Sequence, residues 1–170
     1  MKKRVIAACA FAFVTGCMKQ PPPPDPAITA KDDIQLLFER WKTAFEAKDV
    51  NGVMAMYAPG ATLTAYDVVP PLQFKGADEY RKDYSSFFAQ FDGPIHVDLP
   101  DMHIEAGTGA AFAYGVERLT GKLKDGTPVD MWLRYTEGLK YMNHQWRIVH
   151  EHISVPVDLT TGKARTDLKP

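Results

Sequence analysis

The chain has 170 residues, a formal net charge of −1 and 45% hydrophobic residues, which is the balance of a folded globular domain. Its 20 basic residues form no stripe with interleaved aromatic residues, so the sequence gives no support to nucleic-acid binding. The two cysteines, Cys9 and Cys17, both lie near the N-terminus. This excludes a disulfide, a cysteine nucleophile and a thiolate metal site from the rest of the chain.

Residues 1–16 have the pattern of a secretory leader. Three basic residues at positions 2–4 precede the apolar run at 5–14, which is far shorter than the roughly 20 residues needed to cross a bilayer. Residues 14–17 (VTGC) resemble the lipobox of bacterial lipoproteins. That resemblance predicts a lipidated Cys17 as the first mature residue. The alternative is an ordinary signal peptide with a chance cysteine.

Residues 17–26 are predicted to be a linker, because they contain four consecutive prolines at 21–24. Each proline fixes its own φ and bars helix, so this segment should be a stiff, extended spacer. No aspartate follows Cys17 at the second mature position. By resemblance to enterobacterial sorting, we expect anchoring in the outer membrane, facing the periplasm of the cell envelope.

Residues 27–170 are predicted to form one domain that begins with three helices. Apolar residues recur at spacings of three and four over residues 31–48, which is typical of an amphipathic helix. A shorter helix is expected around residues 53–57, before Pro59 and Gly60. A third apolar stripe covers residues 77–91.

The rest of the domain is predicted to be mainly sheet. A short strand at 62–67 comes first, and the long segments, separated by turn signals, are 95–105, 110–123, 129–141 and 146–157. Short connections between long strands predict antiparallel hairpins. Helices followed by a long meander indicate the α+β class, and strands of this length must curve strongly.

An ordered set of motifs resembles the nuclear transport factor 2-like superfamily, within it the ketosteroid isomerase and polyketide cyclase (SnoaL-like) group. The motifs are AKDVNG at 47–52, MYAPGA at 56–61, FKG at 74–76 and WRIVHEH at 146–152. The resemblance implies a cone of three N-terminal helices on a strongly curved, mainly antiparallel sheet, with an apolar pocket inside. It also implies homodimers that form through the sheet. Function must be argued from the pocket, because one fold serves many activities.

Asp67 is the candidate general base. In the ketosteroid isomerases the catalytic aspartate stands at a matching distance before the glycine that corresponds to Gly76. An apolar pocket raises the pKa of a carboxylate and makes it a better base near neutral pH. The alternative is an aspartate that shapes the turn before Pro70 and Pro71.

The isomerase's oxyanion hole is not retained in the sequence. Its tyrosine matches Trp41, and its protonated aspartate matches Gly138, which has no side-chain donor. Loss of one such donor typically costs about a hundredfold in rate or more. Steroid isomerisation itself is therefore not expected, and Trp41 is predicted to be a ligand-binding residue in the pocket wall.

Alternation along the last two long strands sorts their side chains into a polar face and an apolar face. We interpret the polar face as the pocket side, because the match to the isomerase places Gly138 there. The same match, continued through the final hairpin, points Glu151 inward and His150 outward. The sequence leaves both orientations open.

With the polar face inward, Arg134 would hold a carboxylate, enolate or other anionic group, and Asp130 would orient Arg134 or a histidine. His150 and His152 would then be candidate catalytic proton shuttles near neutral pH. The remaining predicted ligand-binding residues are Tyr114 and Trp132. The structural alternative is a satisfied polar network that only specifies packing.

No metal or other cofactor is expected. His150 and His152 put two imidazoles on one strand face, but a convincing third ligand is missing. The sequence contains no glycine-rich phosphate loop and no serine nucleophile elbow.

Two classes of function remain. The first is an envelope-anchored domain that binds a small apolar or amphipathic molecule in a conical pocket. The second is a cofactor-independent acid–base enzyme of the isomerase, cyclase or hydrolase type, in which Asp67 acts with His150, His152 or Arg134. The missing oxyanion hole favours the binding domain over the enzyme.

Overall fold

The computed structural model describes residues 26–170, so the leader, Cys17 and nearly all of the linker lie outside the described residues. Three helices come first: α1 (Pro26–Glu46), α2 (Val50–Met54) and α3 (Ala77–Phe88). A 3-10 turn at Gly60–Thr62 follows α2. Within residues 26–170, no helix is long and apolar enough to cross a membrane.

The strands are β1 (Thr64–Tyr66), β2 (Phe74–Lys75), β3 (His96–Asp98), β4 (His103–Ala106), β5 (Ala110–Lys122), β6 (Pro128–Met142), β7 (Gln145–Ser154), β8 (Val157–Asp158) and β9 (Lys163–Ala164). One sheet has the order β2-β1-β7-β6-β5-β3, and β4 also pairs with β5. Within it only the β1–β7 pairing is parallel. Helices on a curved, mainly antiparallel sheet confirm the predicted α+β cone.

The predicted strand at 95–105 is instead two strands, β3 and β4, that both pair with β5. A turn at Pro100 and Asp101 separates them, since proline has no N–H to give to a sheet ladder. Gly115 of β5 makes room for this turn. A Cβ at Gly115 would lie only 2.3 Å from the carbonyl oxygen of Asp101.

The core lies between α1, α3 and one face of the sheet, which we call the inner face. From α1 the buried residues include Ile34, Leu37, Phe38, Trp41 and Phe45, and from α3 they are Tyr80, Tyr84 and Phe88. On β6 the inner face carries Leu133, Tyr135, Glu137 and Leu139, all buried. The apolar face of β6 is thus the helix-covered face.

A β-bulge in β7 changes which of its residues point inward. Before the bulge Trp146 and Ile148 are buried, and after it Glu151 and Ile153 are buried. Val149 is the extra residue, because the pairing of β7 with β6 steps by two residues there. An added residue reverses the alternation of the side chains that follow.

Candidate functional site

A cavity of about 430 Å³ lies between the helices and the inner face of the sheet. Aromatic and aliphatic side chains make up most of its wall. Five carboxyl groups also line it: Asp67, Asp83, Glu117, Glu137 and Glu151. No lysine, arginine or histidine is among its lining residues in the described part of the chain. The cavity is therefore apolar with an acidic polar lining.

Three of these carboxyl groups come from adjacent strands of the inner face. Glu117 of β5, Glu137 of β6 and Glu151 of β7 are 8%, 4% and 2% exposed. Glu137 and Glu151 stand directly opposite each other in the β6–β7 pairing. A buried carboxylate pays a large desolvation cost unless it is paired with a cation, and no cation lines this cavity.

Burial determines the protonation of the three glutamates. Desolvation raises the pKa of Glu117 to about 7 and that of Glu151 to about 8. It also raises the pKa of Glu137 well above its ordinary value, and the nearby Glu151 and Glu117 raise it further. These effects favour the neutral acid of Glu137, and such an acid donates a hydrogen bond as well as accepting one.

Two buried tyrosines connect to the last of these glutamates. The Tyr57 hydroxyl donates to Oε2 of Glu151 at 2.5 Å, and the hydroxyls of Tyr57 and Tyr84 are 2.7 Å apart. Since Tyr57 donates its proton to Glu151, Tyr84 donates to Tyr57. Burial raises the pKa of both hydroxyls well above 10, so both remain protonated donors.

Asp67 lines the cavity, as its predicted role requires. It follows β1 and is half-buried. The Tyr80 hydroxyl donates to its Oδ2 at 3.2 Å, and the backbone N–H of Val68 donates to its Oδ1. Desolvation raises the pKa of Asp67 although both hydrogen bonds act in the opposite direction. A carboxylate with a raised pKa at the edge of an apolar cavity is suited to accept a proton.

Trp41 also lies where it was predicted, in the cavity wall. It is 7% exposed, and its ring packs against that of Phe45 with centroids 4.9 Å apart. Tyr84 packs edge-on against the same phenylalanine. Trp41 belongs to an aromatic wall that α1 and α3 build together.

The interpretation that the polar face lines the pocket is wrong. None of the residues it placed in the pocket is among the lining residues, and they are Tyr114, Asp130, Trp132, Arg134, His150 and His152. All lie on the opposite, outer face of the sheet. The helices cover the apolar face of β6, and the bulge at Val149 then turns both histidines outward.

The outer face makes its own contacts. Arg118 forms a two-point ion pair with Asp130, at 2.9 and 3.0 Å. His150 lies within hydrogen-bond distance of the carbonyl oxygen of Thr64, at 2.9 Å from its Nδ1. Tyr114 stacks on His103 with ring centroids 5.1 Å apart. These side chains make their contacts on the outer surface of the sheet and do not line the cavity.

Sequence reasoning missed most of the acidic lining and the tyrosine pair. Glu117 and Glu137 are unexpected in the cavity because a glutamate in a strand is usually exposed. The available signal was alternation, since Glu137 has the same parity as Leu133, Tyr135 and Leu139. Tyr57 and Tyr84 were assigned only as apolar helix residues.

The described residues hold no group of three His, Cys, Asp or Glu side chains arranged to bind a metal ion. What the arrangement can do chemically is to accept or donate protons and hydrogen bonds inside an apolar cavity.

Comparison with known proteins agrees with this architecture. Residues 34–158 match the model of the SnoaL-like domain. No curated protein matches the chain. A nuclear transport factor 2-like protein of unknown function from Pseudomonas putida is 32% identical, with a TM-score of 0.77 over 85% of this chain and 99% of that one.

Two more distant structures share the fold. A nuclear transport factor 2-like superfamily protein from Salmonella enterica is 19% identical, with a TM-score of 0.70 over 81% of this chain and 99% of that one. A ketosteroid isomerase-like protein from Erwinia carotovora is 18% identical, with a TM-score of 0.62 over 72% and 93%. The chain therefore belongs to the SnoaL-like domain family and has the nuclear transport factor 2-like fold.

Proposed function

We propose that this protein binds a small, mostly apolar molecule in the cavity of its cone. The observation that carries the proposal is the cavity itself: about 430 Å³, walled by aromatic and aliphatic side chains with a few convergent polar groups. Such a composition is characteristic of small-molecule sites. An anionic ligand is disfavoured, because the charged groups on the lining are acidic and Arg134 lies outside.

Filling the cavity is expected to abolish ligand retention. Leu119 is 5% exposed and lines the cavity from β5, so Leu119→Trp would place an indole where a ligand would lie. Native mass spectrometry of the gently purified protein should show a discrete organic adduct on the wild-type chain and none on the variant.

The matched control is Leu36→Trp, which makes the same change on α1 at a side chain that is 44% exposed and outside the cavity. This control should keep the adduct. A bare wild-type protein that also ignores a panel of apolar molecules would argue against a binding function. Circular dichroism of all three proteins separates a filled cavity from a lost fold.

A second candidate function is acid–base catalysis on the bound molecule, which the position of Asp67 favours. Its carboxylate can take a proton from a cavity molecule, and Tyr80 and the backbone of Val68 hold it in place. Glu137 in its neutral form supplies a donor that the sequence comparison at Gly138 had found missing. A neutral acid that donates to developing negative charge is an established catalytic device.

The fold of the ketosteroid isomerase-like protein from Erwinia carotovora is compatible with this chemistry. In our proposal the residues would be Asp67 as base with Glu137 as donor, and the outer-face histidines would have no part in it. The variant that tests this candidate is Asp67→Asn.

We also propose that the domain is anchored in the bacterial envelope through lipidated Cys17, in the outer membrane and facing the periplasm. The support is the sequence of residues 1–26. Membrane fractionation of cells that express Cys17→Ser tests the anchor, since the variant should leave the membrane fraction.

Pairing through the outer face of the sheet is a further part of the proposal. That face exposes large aromatic side chains, namely Tyr66, Phe112 and Tyr114, at 40%, 48% and 39%. Aromatic residues are enriched in protein interfaces. Sedimentation velocity over a range of concentrations tests the homodimer, and a monomer at all of them would contradict it.

A further inference from the structure

Two residues that line the cavity each have a buried polar atom that lacks a hydrogen-bond partner in the described part of the chain. These are Oε2 of Glu137 and the hydroxyl of Tyr135. Glu137 is 4% exposed and Tyr135 is 3% exposed, and both line the cavity. A buried polar atom without a partner typically costs about 1–3 kcal/mol, so native structures rarely leave one unpaired. A ligand that supplies a hydrogen-bond donor would satisfy Glu137.

The chemistry of the lining restricts which donor fits. Glu151 stands directly opposite Glu137 on β7, Glu117 lies further along β5 opposite Leu133, and no basic side chain lines the cavity. One positive charge placed among three buried carboxyl groups would favour the ionised form of one of them. A hydroxyl donor carries no charge, so it would gain only a neutral hydrogen bond from the same lining.

Aromatic rings lie on the helical side of the same cavity. Trp41, Phe45 and Tyr84 pack together, with the first two centroids 4.9 Å apart and the last two 6.3 Å apart. Aromatic faces attract cations, by about 0.5–2 kcal/mol each depending on solvent exclusion. Aromatic faces opposite a carboxylate are the pair of features that an ammonium group needs.

We infer that the cavity is built for an amine with an apolar body, held as its ammonium form with an N–H directed at the carboxyl group of Glu137. This inference rests on the proposed small-molecule binding and names the chemical class of the ligand. The apolar body packs on the aromatic wall and on the aliphatic side chains of the inner face, such as Leu119 and Met131.

Binding an ammonium ion should release a proton. In the free protein, burial and the nearby Glu151 and Glu117 raise the pKa of Glu137 and so favour its neutral acid, whereas the bound state needs its carboxylate. The acid proton goes to solvent, and the amine keeps its own. The groups that share this environment are Glu117 from β5, Glu151 from β7, Tyr135 on β6, Tyr57 and Tyr84. Affinity should therefore rise with pH until the amine itself begins to lose its proton.

The test compares three probes with one ring system: 1-naphthylmethylamine, 1-naphthylmethanol and 1-naphthoic acid. Isothermal titration of the full-length protein at pH 7 should find the amine roughly 10- to 100-fold tighter than the alcohol, as a charged hydrogen bond predicts. The naphthoate should be the weakest of the three. The N,N,N-trimethyl derivative of the amine should bind less tightly than the amine, because it has no N–H to donate.

Glu137→Gln removes the carboxylate and keeps the shape of the side chain. This variant should lower the affinity for the amine to that for the alcohol. The affinity for the alcohol should stay unchanged. The control Glu39→Gln makes the same chemical change on an exposed residue of α1 and should alter neither of the two affinities. A second measurement needs no variant: titrations of the wild type in buffers of different ionisation enthalpy should report a net release of protons when the amine binds.

The outcomes separate the inference from the function on which it rests. Failure of the amine to bind overturns the inference. Equal binding of amine and alcohol, or an amine that binds without proton release, also overturns it. If the alcohol or the naphthoate still binds in the cavity, small-molecule binding stands. If Leu119→Trp retains every probe, the binding is elsewhere and both fail.

Discussion

The free energy of unfolding of this protein is expected to fall as the pH rises from about 4.5 to about 7, because Glu117 stays protonated in the folded state. Its pKa is raised by burial from 4.5 to about 7. Below pH 4.5 both states hold the proton, and the favourable contribution to stability is fully present. Between the two values the unfolded chain releases its proton and the folded chain does not, so the contribution is lost as pH rises.

The size of this effect follows from the shift. Each pKa unit corresponds to about 1.4 kcal/mol, so Glu117 accounts for a loss of about 3 kcal/mol between pH 4.5 and 7. Glu151, with a pKa of about 8, acts in the same direction up to that pH. A loss of this size is a large fraction of the stability of a typical domain.

Urea unfolding of the wild type and of Glu117→Gln at pH 5 and pH 8 measures the contribution. Glutamine resembles the protonated acid, so the variant should exceed the wild type by about 1 kcal/mol at pH 5 and by about 3 kcal/mol at pH 8. Glu39→Gln, on the exposed surface of α1, should follow the wild type at both pH values. Parallel profiles for all three proteins would show that Glu117 ionises normally in the folded state.

This cost bears on function. A leucine or glutamine at Glu117, Glu137 or Glu151 would avoid the desolvation of a carboxyl group, yet three adjacent strands each present one to the same cavity. Groups with strongly shifted pKa values in a cavity are typical of functional sites. The buried acids thus support a site that uses them.

Much of the fold could be predicted from local signals. The apolar spacing that predicted a helix at 31–48 lies largely within α1, and the turn signals correctly separated β5, β6 and β7. The prediction of a single strand at 95–105 was wrong, and the reason is also local, because Pro100 interrupts the strand. The start of α1 at Pro26 was missed, since a proline is tolerated in the first helical turn and no apolar spacing marks residues before 31.

The site could be predicted only in part, because the orientation of the sheet is not a local property. Leu133, Tyr135 and Leu139 form the apolar side of β6, and an apolar face must be covered. The alignment of Gly138 with an isomerase residue outweighed that argument and was misleading. Gly138 in fact stands opposite His150 on the outer face, where an added Cβ would lie 3.3 Å from the Cβ of the histidine.

The bulge at Val149 sets which side chains in the second half of β7 point inward. Its position depends on how β6 and β7 pair, which the turn at 143–144 alone does not reveal. Without it, a strict alternation from Trp146 and Ile148 would send His150 inward. With it, Glu151 points inward and meets Tyr57. The sequence had offered both orientations, and a single extra residue decides between them.

Asp67→Asn is expected to lower any proton-transfer rate in the cavity by about 10²- to 10⁴-fold while leaving ligand affinity nearly unchanged. The amide oxygen of asparagine can still accept the backbone N–H of Val68, and the NH2 group that replaces Oδ2 can donate to the hydroxyl oxygen of Tyr80, so the loop should keep its shape. What it cannot do is take up a proton near neutral pH. The measurement is exchange of the α-hydrogens of a small cyclic ketone with deuterium from solvent, followed by NMR.

The matched control for this variant is His152→Asn, which alters an exposed residue of the outer face that was also predicted to be catalytic. It should exchange as fast as the wild type. The rate should rise with pH through the pKa of Asp67, which burial places above its ordinary 3.8, because only the carboxylate accepts a proton. Loss of exchange in both variants would point to the outer face or to a damaged fold. A wild type with no exchange above the buffer rate would leave Asp67 as part of a binding cavity, where the only protons that move are those released when a ligand binds.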